Sequence, residues 1–81
     1  RVKKDQVADA CTQLADLLSN GVPMLEALQI LSDASVNNGL KVALKSVHDA
    51  MAEGANLDQA MAAQPHVFSE LTLSMVRAGL E

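Results

Sequence analysis

The chain has 81 residues, a net charge of −4, 49% apolar residues and one aromatic, Phe68. This length fits a single domain, residues 1–81, near the lower limit of independent stability, because a chain this short buries only about 60–65% of its unfolded surface. The acidic balance excludes nucleic acid as the main ligand, since phosphate binding needs a basic face, and the lack of Trp and Tyr leaves no aromatic wall for a small-molecule pocket.

Cys11 is alone, so neither an internal disulfide nor a thiolate metal site is within reach. No apolar run approaches the ~18–20 residues of a spanning helix. Arg1, Lys3 and Lys4 make a basic start that reads as a solvated terminus. The first residue is Arg1, and the chain stops at Gly79-Leu80-Glu81 without a stop signal, which reads as a segment of a longer protein.

The spacing predicts helix 1 over Asp5 to Ser19. Val7, Cys11, Leu14 and Leu18 follow each other by 4, 3 and 4 residues, one stripe of a 3.6-residue period. Asn20-Gly21 stops this helix, because Gly enters the left-handed region without a Cβ clash. Pro23 starts helix 2, expected over Pro23 to Ala34, because its fixed φ suits a first turn. Met24, Leu28 and Leu31 supply its apolar stripe, with Leu25 beside them. Two helices joined by so tight a corner must share a face. Val36-Asn37-Asn38-Gly39 is a turn cluster.

Helix 3 runs from Asn38 or Gly39 to Glu53. Leu40, Ala43, Leu44, Val47, Ala50 and Met51 form its buried stripe, and Lys41, Lys45, His48 and Asp49 its other side. Gly54 stops it, so the corner at Gly21 returns 33 residues later. Helix 4 is expected over Leu57 to Gln64, with Asn56 and Gln59 spaced as a capping box and Pro65 ending it. Phe68 anchors the connector that follows. Ser69 caps helix 5, whose stripe is Leu71, Met75 and Ala78 with Leu73 and Val76 beside it. The fold class is all-α: an antiparallel bundle of five helices.

The sequence carries no Gly-rich phosphate loop, no His-Glu-x-x-His and no Cys-x-x-Cys. Ser46 and His48 fall on different helical faces, Asp9 and Asp16 read as a solvated acidic face, and His66 is a lone loop histidine. Cys11 reads as a small core residue. Met24, Met51, Met61 and Met75 all fall on apolar stripes, so core filling is expected of all four. Lys41 and Lys45 form a basic spot whose functional reading is a docking point for an acidic partner. A helical bundle of this kind presents surfaces to partners, and no enzyme activity, cofactor or metal is expected.

Two stretches carry a family resemblance. Gln13-Leu14-Ala15-x-Leu17-Leu18-x-x-Gly21-Val22-Pro23-x-Leu25-Glu26-Ala27-Leu28-x-Ile30-Leu31 is one. Glu53-Gly54-x-x-Leu57-x-x-Ala60-Met61, followed by Pro65-x-Val67-Phe68 and Met75-Val76-Arg77-Ala78-Gly79, is the other. Together they resemble the type II secretion system F domain, over about Asp5 to Glu81. Two features depart from that family: Ala10 and Cys11 stand where an aromatic is usual, and Leu80 separates Ala78-Gly79 from the acid Glu81.

The resemblance implies a bundle that has six helices when complete and is truncated here to five, leaving apolar surface exposed at the end of helix 5. It implies a cytoplasmic module of a bacterial inner-membrane platform protein, in type II secretion or type IV pilus assembly. Its partners would be the assembly ATPase, other platform components and a second copy of itself as a dimer, with the membrane reached through other parts of the parent chain. Contacts are expected at Lys41, Lys45 and His48 and around Glu70 and Arg77. Gly21, Pro23, Gly54, Pro65, Phe68 and Gly79 are expected to be structural. The alternative is a peptide-binding adaptor of tetratricopeptide type, suggested by the 33-residue echo.

Overall fold

The computed structural model describes residues 2–79. Five helices follow one another: α1 (Lys4–Ser19), α2 (Met24–Ala34), α3 (Asn38–Ala52), α4 (Leu57–Ala62) and α5 (Glu70–Gly79). No strand occurs among the described residues. Each helix packs on its neighbour in sequence, most extensively α2 on α3. All contribute to one core that runs from Val7 through Leu14, Leu28, Leu44 and Met61 to Phe68 and Val76.

The corners are built from backbone hydrogen bonds. At the end of α1, the Gly21 N–H donates to the Leu18 carbonyl and the Val22 N–H to the Leu17 carbonyl, each at 3.0 Å. This is the Schellman arrangement, which satisfies helix-terminal carbonyls that have no partner inside the helix. It needs a left-handed residue, and Gly21 has φ +88°. The end of α3 repeats it. Gly54 at φ +113° donates to the Met51 carbonyl at 3.0 Å, and Ala55 donates to the Ala50 carbonyl at 3.1 Å.

The 33-residue echo extends into the packing. Val7, Ala10, Cys11, Leu14, Ala27 and Leu28 are buried, and so are Leu40, Ala43, Leu44, Val47, Ala60 and Met61, which follow them at that spacing. On α5 the same step from Leu40 and Ala43 reaches the buried Leu73 and Val76. The echo is thus one helix-corner-helix unit used twice within a shared core, and α5 keeps the register of α1 and α3.

Several expectations are corrected. Pro23 stands before the first turn of α2, at φ −60° and ψ 150°, where a residue lacking an N–H loses nothing. The extended conformation suits it and its carbonyl accepts from Ala27 at 2.9 Å. Helix α4 ends at Ala62, short of Gln64. The connector then turns on the Gln64 carbonyl, which accepts from both Val67 and Phe68 at 3.0 Å. Gln64 also donates through its side chain to the Ala43 carbonyl at 3.0 Å, fixing the connector to α3.

Helix α5 buries Leu73 and Val76, whereas Leu71, Met75 and Ala78 face outward. Both sets are spaced helically, and the set that turns inward shares the core with the buried Phe68 just before the helix. Met75 is therefore not a core methionine. Met61 is buried, and Met24 and Met51 are half-buried against the core.

Gly21→Ala and Gly54→Ala should each lower unfolding stability by about 1–2 kcal/mol, the left-handed strain of a residue with a Cβ. No atom lies within 4 Å of an added Cβ at either position, so the cost is one of backbone alone. Equal losses in urea melts would confirm that the two corners are the same device. Pro23→Ala should cost about 0.5–1 kcal/mol through a freer unfolded chain, with the helical signal of the folded state unchanged.

Candidate functional site

The outward side of the α2–α3 pair carries the sequence-predicted basic spot. Ser32 and Asp33 on α2 and Lys41 and Lys45 on α3 line a shallow groove of about 360 Å³. Its floor is fixed by the buried Ser32, 2% exposed, whose hydroxyl donates to the Lys41 carbonyl at 3.1 Å. A hydroxyl this buried needs such a partner, and the bond sets the offset of α2 against α3. Asn37 caps α3: its side-chain oxygen accepts from the Leu40 N–H at 3.0 Å, and its amide donates to Gln6 on α1 at 3.1 Å. From sequence Asn37 reads only as part of a turn cluster, and Ser32 does not stand out. Asn37 had a signal, since it sits where an N-cap residue is favoured; Ser32 had none.

The charges of this face are engaged locally. The Lys41 ammonium reaches the Asp33 carbonyl at 3.5 Å, and Lys45 lies 3.7 Å from the Asp49 carboxylate, one turn on. His48 Nδ1 lies 2.9 Å from the same carboxylate. The His48 hydrogen bond holds the Asp49 carboxyl below its ordinary value; desolvation opposes the shift, and the Lys45 charge adds to it. Lys45 and Asp49 are both more than half exposed, so their pairing contributes little to stability. The structure thus brings Lys41, Lys45 and His48 together on α3.

Glu70 and Arg77 are separate from that face, on α5. Arg77 Nε donates to the Asp58 carboxylate at 3.2 Å, tying α5 to the first turn of α4. Glu70 is exposed in the first turn of α5. A cleft of about 250 Å³ lies between α1 and α5, with Cys11, Thr12 and Ala15 on one side and Met75, Val76 and Gly79 on the other. At Gly79 an added Cβ would meet nothing within 4 Å. Phe68 is 1% exposed and anchors the connector, while Pro65 and His66 are exposed. Among the described residues no group of His, Cys, Asp or Glu is arranged to hold a metal ion, and no buried side-chain nitrogen or oxygen lacks a hydrogen bond. No helix of the described residues is long and apolar enough to cross a membrane.

Residues 10–81 match the family model described as Type II secretion system (T2SS), protein F. The Type II secretion system protein F of Vibrio cholerae is 37% identical over 67 residues, covering 83% of this chain and 16% of that protein. Its counterpart in Xanthomonas campestris gives the same identity and coverage. The Type IV pilus assembly protein PilC of Pseudomonas aeruginosa is 25% identical over 79 residues, covering 98% of this chain and 21% of that protein. The chain therefore spans a small fraction of the length of these relatives.

Burial in the core raises the Cys11 thiol above its ordinary value of 9.0, so folding favours the protonated form. Its contribution to stability is present below pH 9 and is lost as pH rises above that of the unfolded thiol. A thiol reagent at pH 8 should label Cys11 far more slowly in the native chain than in urea; equal rates would show that the cleft leaves the sulfur open.

Proposed function

The chain belongs to the type II secretion system protein F family, and on that premise we propose that it is a non-enzymatic interaction module. Its parent is an inner-membrane platform protein of bacterial type II secretion or type IV pilus assembly. The module sits on the cytoplasmic side, held at the membrane by other parts of the parent chain. There it docks the assembly ATPase and other platform components, and it associates with a second copy of itself. Nucleic acid and small-molecule substrates have no place in this reading, given the net charge of −4 and the lack of Trp and Tyr.

The observation that carries the reading is the family match over residues 10–81. The α3 face adds a physical basis. Lys45 is bound only to an exposed neighbour on its own helix, so a partner carboxylate can replace Asp49 at little cost. Lys41, half-buried beside it, supplies a second charge one turn away. Such rim charges act mainly on the rate and salt dependence of encounter. A module of this kind needs stiffness to pass on motion, and the two Gly-closed corners and the single core provide it.

The test is a pull-down of the cognate assembly ATPase with the 81-residue chain. Charge reversal at Lys41 and Lys45 should weaken capture by about tenfold and flatten its salt dependence, while melting stays unchanged. Undiminished capture would remove this face from the interaction.

A further inference from the structure

A cavity of about 180 Å³ opens between α1 and the connector that joins α2 to α3. Its floor is apolar: Ala10 of α1, Leu31 of α2, and Leu40 and Leu44 of α3 line it, and all four are buried. Val36 stands at its lip, 95% exposed. On the α1 side lie Asp9 and Gln13, one turn apart and both exposed. Neither side chain has a hydrogen bond or ion pair among the described residues. No Lys, Arg or His lines the cavity, so the Asp9 carboxylate is its one charge.

The 33-residue echo accounts for the open space. The step that takes Ala10 to Ala43 and Leu40 to Leu73 also takes Ser35 to Phe68. Ala43 and Leu73 share the core with Phe68, which is 1% exposed. The second connector therefore places an aromatic side chain in the core. At the same step the first connector has only a hydroxyl, which lines the cavity and donates to the Asn37 carbonyl at 3.2 Å. The small side chain leaves the apolar floor uncovered. A cavity of about 150 Å³ is enough to bind benzene, so the space here takes one phenyl-sized side chain and is too small for a helix.

We propose that this cavity receives an aromatic side chain of a partner protein, on a segment that sets a basic residue beside it. The ring does for the first unit what Phe68 does for the second, and the basic residue pairs with Asp9. The proposal rests on the reading of the chain as an interaction module. It adds a site that shares no residue with the Lys41–Lys45 groove. Burial of the ring on Leu31, Leu40 and Leu44 supplies the affinity. An exposed pair with Asp9 supplies charge selection more than strength. Gln13 offers a donor and an acceptor to the backbone of the segment.

An NMR titration of the 81-residue chain, labelled at its Leu methyls, tests this with acetylated and amidated dipeptides. Phe-Lys should shift Leu31, Leu40 and Leu44 and leave Leu57 of α4 unmoved. Ala-Lys should bind about tenfold more weakly for want of the ring, and Phe-Glu about threefold more weakly for its charge. Asp9→Lys, a change at an exposed position that leaves melting as it was, should reverse the preference to Phe-Glu. Ser35→Phe should fill the cavity from within and abolish binding, with stability kept or raised. The proposal is overturned by an absence of shifts at the three leucines, by equal binding of Phe-Lys and Ala-Lys, or by a charge preference that Asp9→Lys does not move. Shifts of the same methyls with protein concentration alone would put a second copy in the cavity and overturn it too. The readout uses no ATPase, so its failure leaves the Lys41–Lys45 face and the interaction-module reading standing.

Discussion

The architecture depends on one backbone constraint used twice. A helix that ends leaves carbonyls without intrahelical partners. At Gly21 and Gly54 the chain meets that need by entering the left-handed region and turning its next two N–H groups back onto the helix. The geometry closes the helix and aims the next one at the same time. The following helix then starts within three residues and has to lie against the one before. The apolar stripes of α1 and α2, and of α3 and α4, are brought face to face by the corners between them. Ala10, Ala27, Ala43 and Ala60 are all buried, and their small size lets the helices pack closely without aromatic filling.

Much of this was legible in the sequence. Gly followed by a helix start, apolar residues at helical spacing, and Asn56 with Gln59 are local signals, and local physics governs them. The α3 stripe from Leu40 to Val47 is buried as its spacing predicts. What the sequence did not disclose depended on long-range placement. Helix α5 carries two apolar stripes, and nothing local says which turns inward; in the fold Leu73 and Val76 join Phe68 in the core. Ser32 looks like a surface serine until the Lys41 carbonyl is found 3.1 Å from its hydroxyl. Gln64 reads as helix until its side chain is seen bound to Ala43. Of the residues expected to meet partners, Lys41, Lys45 and His48 share a face because they share a helix. Arg77 and Glu70 lie on another helix, and Arg77 also has a partner within the fold, Asp58, which sequence distance concealed.

The distribution of chemistry fits a protein that works through contact. Its buried polar groups serve helix offsets and caps, and its exposed charges sit on helix flanks in pairs that a partner can displace. The chain is similar to proteins of both type II secretion and type IV pilus assembly.

The order of packing also bears on how the chain folds. Every helix rests chiefly on its neighbour in sequence, so most of the contacts that stabilise the fold close short loops and carry a small entropic penalty. Proteins rich in such local contacts fold in microseconds to milliseconds. Each Gly-closed pair gathers its own apolar face from residues a few turns apart, and the two pairs have only to meet. A chain organised in this way reaches its folded state with little time spent exposing Leu and Met side chains to other chains.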